Sequence, residues 1–369
     1  MGGSHSYGMI RAAGQDQEGT VNEIYGGRWQ VVAEEGKGGQ ADVYRVRDTV
    51  SDANYALKRL RDDGPVGRLA NELEALQQIE HPNVVRVVDH HVEGDPPYYL
   101  VMELLEGGTL EERVEEYKGD IVRSLELFCA ICDGILAAHE LKPPVIHRDL
   151  KPGNVLFRSR DDATPIVTDF GLCWIDDRAR FTATQERVGA FRYMAPELED
   201  GRLDRPTARC DVYSLGKLLY YIITGGVEFN REKHREPEYD LYRRFSVDSA
   251  DPLRDAQLEY ISRLLDHMIT LDPDERYGKA LQVRTLARNV GSLVKNGHYP
   301  FTDNMPCKFC GKGLYDRQSP TDFPVLFGGV MPPSLDDFPV AIFRCTHCGH
   351  LQLFDFHTFE KHDPRRAQG

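Results

Sequence analysis

The chain lacks any long hydrophobic run. No stretch reaches the roughly 18 consecutive apolar residues that a membrane-crossing helix requires. The best candidate, Leu218 to Thr224, is short and follows Lys217. An apolar signal core is missing from the polar, Gly-rich N-terminus, so a soluble, cytoplasmic protein is expected. Positive charge is in deficit: 45 Lys+Arg face 59 Asp+Glu, a formal net charge of -14. That balance argues against a role built on wrapping phosphate backbones, which needs clustered basic residues. Cysteine is sparse and uneven, with 8 in the chain. Four fall in the last quarter as two C-x-x-C pairs, Cys307/Cys310 and Cys345/Cys348, a spacing that reads as metal before disulfide in a reducing compartment.

What is present suits a folded protein of two or three domains. Its 369 residues are 41% hydrophobic and 9% aromatic, enough for a sizeable core. The first 23 residues read as a flexible tail. From Arg28 to Arg61, "RWQVVAEEG", "ADVYRVRD" and "NYALKRL" alternate β-branched or aromatic residues with polar ones and predict strands. Leu69, Leu73, Leu76 and Ile79 recur at helical spacing and predict a helix over 67–79. "HPNVVRVVDHH" and "YYLVMEL" predict two more strands. Helical patterns then dominate from Thr109 to Val294, interrupted by a charged loop and a long Gly- and Thr-containing segment. The composition changes again near Tyr299. The echo "DFPVLF" and "DFPVAIF" in this last part reads as two strand starts sharing a Pro turn, with a duplicated partner-binding strand as the alternative.

The charged loop, "VIHRDLKPGNVLF" from Val145 to Phe157, raises a physical question. Buried charge is costly unless it is paired or used, yet this loop sets His, Arg, Asp, Lys and Asn between apolar flanks. Phosphoryl transfer would use such a set, because it needs a phosphate cradle, metal ions and a base that orients the attacking hydroxyl. Gly36 and Gly38 follow a predicted strand and let backbone N–H groups approach an anion, with Ala41 where a third Gly often stands. Lys58 is an inward-facing cation that wants an acid. Glu72 and Glu74 lie on the next helix, but two helical steps turn them about 200° apart, so only one faces inward. Asp149 could orient a hydroxyl, Lys151 could neutralise a moving phosphoryl group, and Asn154 and Asp169 offer oxygen ligands suited to Mg²⁺.

In order, "GKGGQADV", "YALK", "HRDLKPGN", "DFG" and "APE" resemble the signature set of the eukaryotic-type protein kinase family, across about residues 28–290. The resemblance implies an α+β, bilobal kinase domain over 24–295, with an N-lobe about 24–105 and a C-lobe about 106–295. It implies ATP as substrate, Lys58 on the α- and β-phosphates paired with Glu72, Asp149 as base, and Asn154 and Asp169 on Mg²⁺. Val43, Ala56 and Leu156 would sandwich adenine, Met102 would be the gatekeeper, and the backbone of Glu103 to Leu105 would meet the base edge. Leu76, His147 and Phe170 match the family's regulatory stack. Glu197 would pair with Arg276, and Asp211 would anchor the catalytic loop. Lys151 after "HRDL" is similar to the serine/threonine branch, and the Gly loop has a bacterial character. Arg148 makes a phosphorylated activation segment an expectation, with Thr182 and Thr184 as candidate autophosphorylation sites. One departure stands out: Ala190 in "GAFRYMAPE" replaces the Thr that usually bonds the catalytic Asp and Lys. A nucleotide-binding switch or scaffold is therefore the alternative to an active kinase.

"PCKFCGKG" and "RCTHCGH" resemble the knuckles of a zinc ribbon, which implies a small β module over 300–360, with a tail over 361–369. Four thiolates, from Cys307, Cys310, Cys345 and Cys348, suit tetrahedral structural Zn²⁺. His347 and His350 are expected at the surface. From His298 to Gly369 seven Lys/Arg face eight Asp/Glu. That favours a protein partner over nucleic acid. Phe354, Phe356 and Phe359 are expected to complete the ribbon's core. Cys129 and Cys132 form another C-x-x-C, but on an apolar helix face where buried small residues are expected. Cys173 and Cys210 show no evident partners.

Overall fold

The computed structural model describes residues 23–37, 41–62, 64–170, 192–199, 206–230, 241, 258, 261–262, 264–296, 305–306, 314–318, 340–345, 347–348 and 351–355. A small lobe begins with strands β1 (Ile24–Tyr25), β2 (Trp29–Lys37), β3 (Ala41–Asp48) and β4 (Asn54–Leu60). Helix α1 (Val66–Gln78) follows, then β5 (Val87–His91) and β6 (Tyr99–Glu103). The strands form one antiparallel sheet in the order β1-β2-β3-β4-β6-β5. Period-2 alternation splits its side chains between two faces. Leu57 pairs with Val101 and packs with Trp29, Tyr44 and Val46 in one cluster. Lys58 pairs with Leu100, and Leu100 packs with Leu60 and with Leu69 and Leu73 of α1. The periodicity that predicts α1 therefore also docks it. Leu69, Leu73 and Leu76 are buried on the same side as Glu72, whereas Glu74 is exposed.

The larger lobe is built around helices. The short α2 (Leu110–Arg113) starts in a capping box in which Thr109 and Glu112 satisfy each other's backbone N–H. In α3 (Ile121–His139), the Asp120 carboxylate accepts from Arg123 N. After α4 (Pro196–Glu199) comes α5 (Ala208–Thr224), buried along most of its length. It stops at Gly225, whose φ of 67° and close approach to Lys118 both exclude a side chain. Helix α6 (Ala280–Asn296) packs on α3. One feature departs from the helical reading of this region. Val155–Phe157 and Pro165–Val167 form a two-stranded hairpin, β7–β8. Three-residue strands give no measurable period, so pattern reading passes over them. Val84 bridges to Val167 and Thr109 to Leu156, which ties this hairpin to both lobes.

Four strands make a separate C-terminal sheet in the order β12-β11-β10-β9: β9 (Met305–Pro306), β10 (Leu314–Gln318), β11 (Val340–Cys345) and β12 (Leu351–Asp355). Tyr315 is paired with Met305 on one side and Cys345 on the other. The β9–β10 and β11–β12 connections therefore leave the sheet at the same end. Among the described residues no helix is long and apolar enough to cross a membrane.

Candidate active site

The charged loop runs between α3 and β7 and is held from beneath. Asp211, in the first turn of α5 and fully buried, accepts from His147 N at 2.8 Å through one oxygen and Arg148 N at 2.9 Å through the other. His139 Nε2 lies 2.8 Å from the same carboxylate. Burial raises the Asp211 pKa most, but the bond from His139, the nearby His139 and His147 rings and the Arg148 N–H together outweigh it, and the net shift is downward. This grip fixes Arg148 at a φ of 64°, a backbone state that L-residues rarely adopt. His147 Nδ1 accepts from Asp149 N at 3.3 Å, which leaves Nε2–H to donate to Thr168 O at 3.0 Å. The His147 ring meets Phe170 at 4.5 Å, and both are buried, as is Leu76.

With the loop so held, its polar side chains converge. Lys151 Nζ lies 2.7 Å from Asp149 Oδ2. Asn154 Nδ2 donates to Asp149 O at 2.8 Å and to Oδ2 at 3.1 Å, which leaves the Asn154 amide oxygen as its acceptor end. On the opposite wall Lys58 Nζ spans both oxygens of Glu72, at 2.6 and 2.8 Å, and reaches Asp169 Oδ1 at 2.9 Å. Asp169 has a φ of 63°, set by the turn after β8. Burial lowers the Lys58 pKa, yet Asp169 and Glu72 more than reverse this, and the ammonium titrates above its ordinary range. Burial also pushes Asp169 up, but Lys58 and then Lys151 bring it down to about 2. Lys151 is depressed by burial and raised further by Asp149 and Asp169, for a net rise. Burial raises the Glu72 pKa, with Lys58 offsetting part of the rise. Lys58, Asp169 and Lys151, from the sheet, the turn after β8 and the loop, thus stay ionised near neutrality and feel one another.

A cleft of about 340 Å³, open solvent included, adjoins this cluster. Val43 and Ala56 line it from the sheet and Leu156 from β7, giving apolar walls for a flat ring. Met102 lines it and is buried, Glu103 and Leu105 lie at the segment between the lobes, and Glu72 and Asp169 lie at its charged end. The connecting segment is zipped to the larger lobe by Glu106 N→Arg158 O and Gly107 N→Phe157 O, at 3.0 and 2.9 Å. Gly36 lies on β2 opposite Val43, and Ala41 opens β3. Gly38, Thr182, Thr184, Ala190, Cys173, Cys307, Cys310 and His350 lie outside the described residues.

Two lining residues and one cysteine partner escape the sequence reading. Val85 and Thr168 also line the cavity. Thr168 could have been found from its place beside Asp169 in "VTDFG". Val85 carries no signal beyond being apolar. Cys210, read as partnerless, donates to Glu197 Oε1 at 3.4 Å, and burial pushes its thiol up to about 12. Cys129 and Cys132 are buried in α3, with burial raising both thiols.

A curled sheet over a helical lobe, with a lysine–carboxylate cluster at one end of an apolar cleft, defines the class of protein: a bilobal protein kinase fold. The protein kinase domain family matches residues 29–286, and the chain belongs to that family. It is 31% identical over 240 residues to the serine/threonine-protein kinase PrkC of Bacillus subtilis, covering 61% of this chain and 36% of the relative. It is 32% identical over 219 residues to the probable serine/threonine-protein kinase PknB of Lactococcus lactis, covering 57% and 34%. With the serine/threonine-protein kinase PkaA of Streptomyces coelicolor it shares 32% identity over 307 residues, covering 81% and 53%. The chain thus spans about a third to a half of the length of these curated relatives.

Proposed function

We propose that the chain is a protein serine/threonine kinase that uses ATP and Mg²⁺ and phosphorylates its own activation segment. The observation that carries this reading is the Lys58–Glu72–Asp169 cluster at the charged end of an apolar cleft. Val43, Ala56 and Leu156 would enclose adenine, Met102 would limit the depth of the pocket, and Glu103 to Leu105 would meet the base edge. Lys58, positioned by Glu72, would neutralise the inner phosphates, with Gly36, Gly38 and Ala41 as the phosphate-cradle candidates. The donor set fits Mg²⁺: Asp169 is an ionised hard oxygen ligand, and Asn154 keeps its amide oxygen to offer. When bound, Mg²⁺ supplies charge neutralisation at the phosphate oxygens. Asp149 would accept the proton of a Ser/Thr hydroxyl and align its oxygen, and Lys151 would offset charge beside it. Protein substrates follow from the names of the relatives and from the "APE" segment that a small-molecule kinase need not carry.

The test is an ATP/Mg²⁺ phosphorylation assay beside Asp149→Asn, with sites mapped by mass spectrometry. Incorporation at Thr182 or Thr184 that falls by about 10²–10⁴-fold in the variant is the expected outcome. Incorporation unaffected by Asp149→Asn would sink the assignment of the base. ATP binding with no transfer would support a nucleotide-driven switch or scaffold instead, the reading that Ala190 favours.

The same proposal extends to the C-terminal sheet as a zinc-ribbon module that docks a protein partner. Its support is the strand register, in which the end of β9, the start of β10 and the Cys345 end of β11 share one end of the sheet. A second support is Cys345, whose Sγ accepts from His347 N at 3.3 Å and Cys348 N at 3.4 Å, bonds that favour a thiolate. Cys345 is buried while His347 and Cys348 are exposed. One zinc per chain by elemental analysis is expected, lost in Cys345→Ser. A metal-free wild type that retains the same sheet would rule the site out.

A further inference from the structure

At the mouth of the cleft lies a charged chain that phosphoryl transfer does not use. Arg45 sits on β3 opposite Ala56 of β4 and two residues along from Val43. Both of those residues line the cavity. Opposed residues of an antiparallel pair share a face, so Arg45 projects from the cavity side of the sheet. The next strand sets which end: Ala56 pairs with Met102, whereas Lys58 is two residues further on. Arg45 is therefore at the connecting-segment end, away from the Lys58 cluster.

Its guanidinium holds two carboxylates. Nε lies 2.6 Å from Glu35 Oε1 and Nη1 lies 3.0 Å from Glu106 Oε1. Glu35 immediately precedes Gly36, at an irregularity in the β2–β3 register between Glu34 and Gly36. An extra residue in a strand re-aims its side chain, and this one meets Arg45 instead of alternating away. Glu106 follows Leu105, which lines the cavity. One cation thus joins the glycine-bearing strand to the segment between the lobes. The two halves differ in exposure. The Glu35 side chain is 8% exposed and Arg45 21%, but Glu106 is 56% exposed. The inner half is a fixed anchor, and the outer half is a solvent-facing pair weak enough to open.

We propose that Glu35–Arg45–Glu106 is a latch across the base-binding end of the cleft, with Arg45 as a positioning residue that sets how long a nucleotide stays bound. The inference rests on the nucleotide-binding reading above. A nucleotide enters when the Arg45–Glu106 half opens. Reclosure then holds the glycine-bearing strand down over the base.

Labelled ATP (a fluorescent ribose derivative) dissociation by stopped flow, with ATP affinity by calorimetry, tests this in the full chain. In Arg45→Met, dissociation should be about tenfold faster and affinity weaker in proportion, a difference of about 1.4 kcal/mol. Glu106→Gln should lie between that variant and wild type, and Arg45→Lys should recover part of the loss. KM for ATP should rise while KM for the protein substrate stays put, a split that general loosening of the fold would not produce. Unchanged dissociation in both Arg45→Met and Glu106→Gln overturns the latch. So does slower dissociation or tighter binding, which would make the chain an obstruction. If Arg45→Met fails to fold, Glu106→Gln carries the test alone, because it alters only the exposed end. A wild type that binds no ATP would instead remove the nucleotide reading itself.

Discussion

The two lobes each bury an ion pair, and the pairs differ in how their donors are used. In the larger lobe, Arg276 meets Glu197 through two bonds, Nη1 to Oε1 at 2.6 Å and Nη2 to Oε2 at 2.9 Å. Its remaining donors reach Thr270 O, Leu271 O and Arg209 O, at 2.8, 3.1 and 3.3 Å. All five N–H groups of the guanidinium thus have acceptors, and the charges balance. At the cleft, Lys58 bonds two carboxyl groups, Glu72 of the smaller lobe and Asp169 after β8, so this pair of bonds has one ammonium for two acids. Asp169 keeps 28% of its side chain exposed, whereas Arg276 has none exposed. A sealed, balanced pair is a clamp. An unbalanced pair with an open edge is ready to exchange partners with a cation or a phosphate. Burial alone does not separate scaffold from chemistry; the charge balance and the open edge do.

This contrast can be broken by experiment. The largest effect is expected at the sealed pair. Arg276→Ala leaves Glu197 buried without its cation and should cost about 3–5 kcal/mol in urea unfolding. A loss below about 1 kcal/mol, the scale of an exposed pair, would show that the clamp is solvated. At the open cluster, ATP with Mg²⁺ at 100 times its Kd should stabilise the wild type by about 2.7 kcal/mol. Most of that gain should vanish in Lys58→Met, and equal gains in both proteins would detach Lys58 from the ligand.

Acid titration sharpens the same contrast. Asp169 titrates at about 2 in the fold, against 3.8 for the unperturbed side chain. A depressed carboxylate contributes stability above its unfolded pKa and loses it as pH falls through the folded value. Asp169→Asn should therefore flatten the loss of stability between about pH 4 and pH 2, read from urea midpoints. A profile that tracks the wild type would mean that Lys58 does not hold Asp169 in solution. The smallest effect lies away from both pairs: Thr109→Ala removes the capping box at α2 and should cost about 1 kcal/mol.

How much of this was legible beforehand depended on the length of each signal. The α1 periodicity of Leu69, Leu73 and Leu76 sufficed to exclude one of Glu72 and Glu74 from the interior, because residues two apart on a helix diverge. The family resemblance named Glu72 as the partner of Lys58, and the structure pairs them; that Asp169 also reaches Lys58 could not be read, since that requires the distance between β4 and the turn after β8. The β7–β8 hairpin was missed because three-residue strands have no measurable period. Val85 joins the cavity because it follows the Val84–Val167 bridge and bonds Val167 O through its own N–H. Cys210 acquired a partner only when α5 packed against Glu197. Arg45 gave no warning either. In sequence it is one polar residue in an alternating strand, and its meaning comes from a register irregularity beside Gly36 and from a segment 61 positions further on.

The amino-acid sequence by itself determined the family, the order of the lobes and the identity of the charged residues around the cleft. Those properties reside in local patterns: period 2 for strands, period 3.6 for α1, and short motifs whose members are neighbours in the chain. It also set the paired cysteine motifs of the C-terminal sheet. Tertiary structure alone decided that Asp169 joins Glu72 on Lys58, which backbone N–H groups Asp211 holds, and where Arg45 reaches. Those outcomes depend on strand register and on helix-to-sheet distances, which are set by packing the whole chain at once. Charge balance follows from them, because a buried group's partners are whatever packing brings within hydrogen-bond reach.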